Sequence, residues 1–230
     1  MKKLFLLCAV ALCALVGCGL YAAEEVFDLV YKADSMELPT TLGFKANGYQ
    51  NKNANGPQFA GLAPNEDGDT VLLLNNQSKK LEWPTFSFIR NEEFQTLTVD
   101  VTYRLADTES ADPQFAISVI FKDNVRPKNR LGYANISLKE INSMNGNINF
   151  ASGTEFQSLR FVFDAKANSM EVYDLKTQKF LGKRWMANAA ATSKVNFVSF
   201  GDGSSTIHGI VEIMEIKYAF DKKYNLPAVK

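Results

Sequence analysis

The chain has 230 residues, of which 46% are hydrophobic and 22% charged, with 25 basic and 25 acidic side chains. This length is sufficient for a large buried core, and all-β sandwiches of about 200–250 residues are commonly single domains. The balanced charge argues against a nucleic-acid-binding protein, which would carry a basic stripe or patch. We therefore expect no nucleic-acid partner.

The first residues have the layout of a bacterial export signal. Lys2 and Lys3 precede an uncharged apolar run from Leu4 to Val16. This run is shorter than the ~20 apolar residues that a membrane-spanning helix needs. It ends in Leu15-Val16-Gly17-Cys18, which resembles the lipobox of bacterial lipoproteins.

Two processing sites follow from this pattern. The lipobox implies cleavage before Cys18, so that residues 1–17 are the signal peptide, the Cys18 thiol carries the lipid, and residues 18–23 form a short tether. The alternative is an ordinary secretory signal that is cut near Ala22-Ala23. The first site predicts an exported protein that its N-terminal lipid anchors to a membrane, and the second predicts a soluble periplasmic or secreted protein.

The cysteine distribution limits the chemistry of the body. The three cysteines of the chain, Cys8, Cys13 and Cys18, all lie within the signal and its lipobox. The remaining chain therefore has no thiol for a disulfide, a metal site or a nucleophile. Removal of residues 1–17 leaves 23 basic and 25 acidic side chains, a formal charge of −2.

Alternation of apolar and polar residues predicts β-strands along most of the body. In Leu97–Tyr103, for example, the apolar residues fall on one face and the polar residues on the other. In chain order, the predicted strands are Val26–Tyr31, Thr70–Leu74, Thr85–Ile89, Leu97–Tyr103, Gln114–Phe121, Leu131–Ser137, Leu159–Phe163, Ser169–Leu175, Val195–Phe200 and Ile210–Phe220. Helix is expected to be nearly absent: Leu138–Met144 and Met186–Ser193 each have room for one or two helical turns, but neither shows a sustained apolar stripe.

Turn signals separate the predicted strands. Asp67-Gly68, Asn145-Gly146-Asn147 and Asp202-Gly203 supply the positive φ angles that strand reversals need. Many strands joined by such turns predict an all-β fold made of two antiparallel sheets. We expect one domain over residues 24–221 and a frayed C-terminal tail over residues 222–230.

Several segments of the body occur in a recognisable order. They are Asp67–Leu74, Phe94–Val99, the pair Leu159–Asp164 and Met170–Asp174, and Phe200–Ser205 before Ile210–Tyr218. In this order they resemble the laminin-G-like jelly rolls of the concanavalin A-like lectin/glucanase superfamily. The resemblance implies a two-sheet antiparallel jelly-roll sandwich, in which ligands commonly bind on a concave sheet face or at loops along one rim.

The resemblance also defines what a catalytic member would need. Glucanases of this superfamily place two glutamates and an aspartate at alternating positions of one strand, with an acid and a nucleophile ~5–5.5 Å apart. The nearest candidate here is Glu212-Ile213-Met214-Glu215, which has no aspartate between its glutamates. A spacing of three places Glu212 and Glu215 on opposite faces of a regular strand, and a bulge would realign them. We expect the regular arrangement, and no catalytic residue is assigned.

Calcium binding is one alternative for a loop that enters a predicted strand. Asn65, Asp67 and Asp69 alternate along this loop and offer the oxygen ligands that Ca²⁺ prefers. The other interpretation is that Asp67-Gly68 forms an ordinary turn. No other cofactor is expected.

Carbohydrate binding needs exposed aromatic faces beside amides and carboxylates. An amide-rich segment that contains Asn47, Tyr49 and Asn51 has this composition. Trp83 and Trp185 are further candidates, although buried tryptophans are also common in sandwich cores.

Three functions follow from these observations. The observations favour the first, an extracytoplasmic, surface-anchored and non-catalytic binding module whose partner is a glycan. The first alternative is a structural or assembly lipoprotein that binds another extracytoplasmic protein, and a large exposed apolar patch would favour it. The second is a glycoside hydrolase, which would need two carboxylates that converge in a groove.

Overall fold

The computed structural model of the protein describes residues 25–47, 58–76, 84–106, 114–122, 129–189, 195–202 and 209–226. Strands dominate these residues. In chain order they are β1 Leu29–Lys32, β2 Lys45–Asn47, β3 Gln58–Pro64, β4 Thr70–Asn76, β5 Thr85–Arg90, β6 Thr96–Ala106, β7 Phe115–Phe121, β8 Asn129–Ile136, β9 Glu140–Ser143, β10 Gly146–Asn149, β11 Gln157–Asp164, β12 Ser169–Asp174, β13 Lys179–Trp185, β14 Ala187–Ala189, β15 Asn196–Asp202 and β16 Gly209–Phe220. Two short 3-10 helices, Ala33–Ser35 and Pro39–Leu42, accompany them. Within the described ranges, no helix has the length and apolar character needed to cross a membrane.

The strands form two sheets. Sheet A has the order β13-β12-β11-β6-β16-β4-β3, and β1 pairs with the second half of β16. Sheet B has the order β10-β9-β8-β7-β15-β5-β2, and β14 pairs with the start of β8. The pairings are antiparallel throughout the described strands. The predicted all-β jelly roll of two antiparallel sheets, of the concanavalin A-like type, is thus confirmed.

The two sheets bury a common apolar core between them. On the central strand β6, alternate residues face this core and are at most 1% exposed: Leu97, Val99, Val101, Tyr103 and Leu105. Aromatic contacts reach across the sandwich, since the Phe94 ring lies 5.1 Å from that of Phe121 and 5.0 Å from that of Phe220. Full burial of one such side chain contributes about 1.5–3 kcal/mol. The alternation therefore leaves one outward face on each sheet for polar residues.

The two segments with room for a short helix contain strands instead. The segment Leu138–Met144 contains β9, which forms a hairpin with β10 through a turn at Met144 and Asn145, and Gly146 at the start of β10 has a φ of +115°. Ile141 and Ile148 of this hairpin are buried in the core. The segment Met186–Ser193 contains β14, whose residues pair with β8. In both cases edge pairing in sheet B supplies backbone hydrogen bonds that a one-turn helix could not match.

The predicted frayed tail is ordered in its first part. The Thr98 hydroxyl donates a hydrogen bond to the carbonyl oxygen of Lys222 at 2.8 Å. The rings of Tyr224 and Phe27 meet edge to face at 5.6 Å. The N-terminal and C-terminal segments of the body therefore pack against each other on the outer face of sheet A, whereas residues 1–24 and 227–230 lie outside the described ranges.

Candidate functional site

The outer face of sheet A contains a buried group of paired charges. The Arg160 side chain on β11 is only 3% exposed. Its Nε and Nη2 atoms donate hydrogen bonds to the two carboxylate oxygens of Asp100 on β6, at 2.7 and 2.8 Å. Its Nη1 atom donates to Glu25 at 2.6 Å. Burial raises the pKa of Asp100, and the hydrogen bonds from Arg160 act in the opposite direction.

The terminal segments cover this charged group. The Val26 amide donates to the Tyr224 hydroxyl at 2.9 Å, and that hydroxyl donates back to the Val26 carbonyl at 2.9 Å. Lys222 Nζ donates to Asp28 at 2.9 Å, and the Phe220 amide donates to the same carboxylate at 2.7 Å. Although burial alone would raise it, these bonds hold the pKa of Asp28 below its usual value. The chain's own ends thus occupy part of this face.

The expected placement of the two glutamates of β16 on opposite faces is wrong. In the pairing with β6, Ile213 faces Tyr103 and Glu215 faces Thr102, so Met214 is an extra residue at a β-bulge. Ile213 and Ile216 both point into the core. The bulge therefore puts Glu212 and Glu215 on the same, outer face of sheet A.

Both carboxylates are nevertheless engaged by cations. Glu212 accepts hydrogen bonds from Arg104 at 2.7 and 2.8 Å, and burial raises its pKa. Glu215 pairs with Lys217 at 2.9 Å and with Lys32 at 3.6 Å. The contacts with Arg104 and Lys32 are ion pairs between neighbouring strands, and Lys217 lies on β16 itself. They do not resemble a proton donor and a nucleophile held apart for a substrate.

The loop considered for calcium is a closed turn. The amide of Asp69 donates to Asn65 Oδ1 at 2.8 Å and the amide of Gly68 to the Asn65 carbonyl at 3.1 Å. The Asp67 carboxylate pairs with Arg104 at 3.1 Å. Across the ranges that the structure describes, no cluster of three metal-ligating side chains occurs. The local contacts agree with the turn interpretation of this loop.

The outer face of sheet B has a different character. Its residues alternate with core residues of β5, β7, β8 and β15, and the strand register aligns them in rows that cross the sheet. Two adjacent polar rows, named here the polar rows, run from β2 to β8: Asn47, Thr85, Gly201, Ala116 and Asn135, and beside them Lys45, Ser87, Ser199, Ser118 and Tyr133. Five strands at the usual spacing make each row about 19 Å long. Lys45 is the one charged residue in the polar rows.

Hydroxyl and amide groups of the polar rows contact one another. The hydroxyls of Ser118 and Ser199 share a hydrogen bond of 2.7 Å, and Asn47 Nδ2 donates to the Ser87 hydroxyl at 2.9 Å. Asn135 donates its Nδ2 to Gln114 Oε1. Its buried Oδ1 has no hydrogen-bond donor among the described residues. Such groups both donate and accept hydrogen bonds, as the hydroxyls of a polar uncharged ligand do.

The structure separates the sequence-predicted binding residues. Asn47 lies on the outer face of sheet B, at the end of β2. Trp185 lies on the outer face of sheet A, on the edge strand β13, and is 61% exposed. The two side chains therefore cannot belong to one small site. Cys18, Tyr49, Asn51 and Trp83 lie outside the described residues.

The serines of the polar rows were not found from the sequence. Ser118 and Ser199 stand at outward positions of strands whose other residues are mostly apolar. A serine within a predicted strand is too common to mark a site by itself. The informative signal is that strand register brings Ser87, Ser199 and Ser118 side by side, and register is a property of the fold.

No protein-family model matches the chain, and no curated protein matches it in sequence. Solved structures do resemble it. A carbohydrate esterase from the Shiga toxin-encoding bacteriophage phi24B superposes with a TM-score of 0.61 at 14% identity, over 86% of this chain and 99% of the other. The carbohydrate recognition domain of Emp46p in its potassium-bound form superposes with a TM-score of 0.49 at 11% identity, over 84% of this chain and 98% of the other.

A third structure, the lectin UEA-II complexed with galactose, gives a TM-score of 0.48 at 9% identity, over 86% of this chain and 100% of the other. At these identities a likeness is informative about the fold alone. The match to the bacteriophage protein covers nearly the whole of both chains. Together with the strand order, it establishes that this chain has the concanavalin A-like jelly-roll fold.

Proposed function

We propose that the protein is an extracytoplasmic, non-catalytic carbohydrate-binding module, and that the polar rows on sheet B are its binding surface. The observation that carries this proposal is the contrast between the two outer faces. On sheet A the polar groups include the buried ion pairs of Arg160 and Arg104, and part of the face is covered by the chain ends. On sheet B, apart from Lys45, they are uncharged hydroxyls and amides, and the hydroxyls of Ser87, Ser199 and Ser118 lie side by side on three adjacent strands.

The chemistry of the polar rows suits a saccharide. Sugar hydroxyls act as donors and acceptors at once, and serine hydroxyls and asparagine amides can meet both requirements. The bacteriophage protein that shares the fold is named as a carbohydrate esterase, which agrees with a saccharide partner. Tyr49 and Asn51 follow Asn47 closely in sequence and stay predicted binding residues, although they lie outside the described part of the chain.

Membrane anchoring belongs to the proposal as well. The lipobox sequence before Cys18 supports lipidation at this residue, and cleavage near Ala22-Ala23 would give a soluble exported form instead. Mass spectrometry of the membrane fraction tests this point directly. A diacylglyceryl group on an N-terminal Cys18 supports anchoring, and a mature chain that begins at residue 24 refutes it.

The binding proposal is tested on a glycan array with a matched pair of variants. Ser118→Ala with Ser199→Ala removes the hydroxyl pair of the polar rows. The control, Thr102→Val with Ser158→Ala, removes the equivalent pair on the outer face of sheet A, whose oxygens lie 3.0 Å apart. At about 1 kcal/mol for each lost hydrogen bond, we expect the first variant to bind its glycan at least about 10-fold more weakly.

The control variant should bind glycans like the wild-type protein. If both double variants lost glycan affinity to the same extent, the assignment of the site to sheet B would be refuted. Absence of any glycan signal for the wild-type protein, with and without calcium, would refute carbohydrate binding itself. Tyr49→Ala on the same array tests the contribution of the neighbouring segment.

One observation favours a protein partner as the second candidate. Beyond the polar rows, an apolar row crosses the same face of sheet B, through Ile89, Phe197, Ile120 and Leu131. Ile89 is 44% exposed, and the other three side chains are partly exposed. A silent glycan array would make this row the first place to look for a structural or assembly role.

A further inference from the structure

The edge strand β13 and the turn before it carry an unusual set of side chains. Residues 175–185 include four basic residues and no acidic residue. Two large aromatic side chains, Phe180 and Trp185, are 51% and 61% exposed. In the pairing of β13 with β12, Trp185 lies opposite Ser169 and Phe180 lies opposite Tyr173. Because Ser169 and Tyr173 point away from the core, both aromatic residues lie on the outer face of sheet A.

The positive charge of this edge is only partly compensated. Lys183 pairs with Glu171 at 2.9 Å. Lys176 and Lys179 are exposed, and neither has an ion-pair partner within the described part of the chain. Arg184 donates to the carbonyl oxygens of Lys183 and Asn147 and lies on the side of β13 opposite to the two rings, so the surplus beside the rings comes from Lys176 and Lys179. The edge therefore presents a positive surplus beside two exposed rings.

Protection of a free sheet edge accounts for part of this pattern. Lysines on an edge strand discourage pairing with another chain. This explanation does not cover the aromatic rings, because an exposed tryptophan and phenylalanine raise the tendency to associate. Aromatic rings next to lysine and arginine are typical of the membrane–water interface, where the ring lies at the headgroup level.

The N-terminal segment enters the fold on the same face. Glu25 binds Arg160 on β11, which is two strands from β13, or about 10 Å away. Glu25 comes seven positions after Cys18, and these seven steps of the chain span at most about 25 Å. A lipid on Cys18 would therefore hold the outer face of sheet A close to the bilayer, and the polar rows would lie on the far side of the sandwich.

We infer that the edge formed by residues 175–185, with Phe180 and Trp185, is a contact surface for an anionic lipid bilayer. The lysines attract the headgroups, and the two rings enter the interfacial layer. The location of this contact rests on the proposed anchoring at Cys18, whereas the affinity for anionic lipid does not. In this orientation the polar rows face away from the membrane.

The test uses the chain from residue 18 with Cys18→Ser, which cannot be acylated, and with Trp83→Phe, which leaves Trp185 as the single tryptophan. The probes are vesicles of phosphatidylcholine, with and without one quarter phosphatidylglycerol. We expect the emission of Trp185 to shift to the blue on the anionic vesicles and to be quenched by lipids brominated near the headgroup. Both effects should weaken at high salt.

A matched charge control separates this surface from general electrostatics. Lys176→Gln with Lys179→Gln should lower the partition onto anionic vesicles about 30-fold, at roughly 5-fold for each lysine near the surface. Lys122→Gln with Lys139→Gln removes two lysines next to strands of sheet B that lie outside the polar rows, and should change the partition less than about 2-fold. A Trp185 emission spectrum that does not change on anionic vesicles would overturn the inference, and so would an equal loss of vesicle partition in the two double variants.

Glycan binding is measured separately on the same proteins. If the edge variants lose vesicle binding and keep glycan binding, both proposals stand. If vesicle binding is present but no glycan is bound, the bilayer contact stands and the carbohydrate proposal fails. Loss of glycan binding in the edge variants alone would contradict the separation of the two faces.

Discussion

Replacement of Arg160 by methionine tests the buried charge group of sheet A. The variant keeps most of the side-chain volume but leaves the Asp100 carboxylate, only 6% exposed, without its cation. Glu25 loses the same partner. Removal of one member of a buried ion pair costs about 3–5 kcal/mol, because the remaining charge stays desolvated. For a domain of this size, the melting temperature should fall by roughly 6–20 °C.

The stability lost in Arg160→Met should depend on pH in a direction that follows from the pKa of Asp100. Burial already raises the pKa of Asp100 in the folded protein, and loss of Arg160 must raise it further. A carboxyl group whose folded pKa exceeds its unfolded value stabilises the fold at low pH, and this contribution is lost as the pH rises through the folded pKa. The gap between wild type and Arg160→Met should therefore be smaller at pH 5 than at pH 7.

Urea denaturation at both pH values measures this gap. Arg160→Met with Asp100→Asn should recover part of the lost stability, since no buried charge remains. Glu25→Gln should cost only about 1 kcal/mol or less, because its side chain is 41% exposed. A free energy of unfolding within about 1 kcal/mol of wild type for Arg160→Met at pH 7 would refute the reasoning.

Three further substitutions test the packing of the sandwich. Gly132→Ala would place a Cβ 2.4 Å from Phe163, and we expect a loss of about 1–3 kcal/mol in urea denaturation. Gly201→Ala would place a Cβ 2.3 Å from the backbone carbonyl oxygen of Pro84, at a residue with a φ of +148°. Because the backbone cannot move aside as a flexible side chain can, we expect very little soluble protein from this variant. Phe94→Ala should cost about 3–5 kcal/mol, and a melting temperature unchanged from wild type would contradict its place in the core.

The central strands could be predicted from the sequence because one of their faces is apolar. In β6, β11 and β16 the alternation marks the core face directly, and each strand is found within a few residues of its predicted limits. The edge strand β13 was missed because most of its side chains are exposed or partly exposed. Without a buried face, Lys179–Trp185 carries no period-two pattern.

Features that depend on pairing between distant segments could not be predicted. The bulge at Met214 is defined by the register of β16 against β6, and the register is invisible in β16 alone. The ion pair of Glu25 with Arg160 joins residues 135 positions apart in the chain. The polar rows arise in the same way, because β5, β7, β8 and β15 each look like an ordinary core strand with one outward serine or asparagine.

The two outer faces have different consequences for a ligand. A ligand that displaced Glu25 or Asp100 from Arg160 would have to replace short charge-assisted hydrogen bonds in a buried setting, which is costly. A ligand on the polar rows would exchange neutral hydrogen bonds such as that between Ser118 and Ser199, each worth about 1 kcal/mol. Exchange at the Arg160 group is therefore costlier than exchange at Ser118 and Ser199, and this difference supports the proposed binding surface on sheet B.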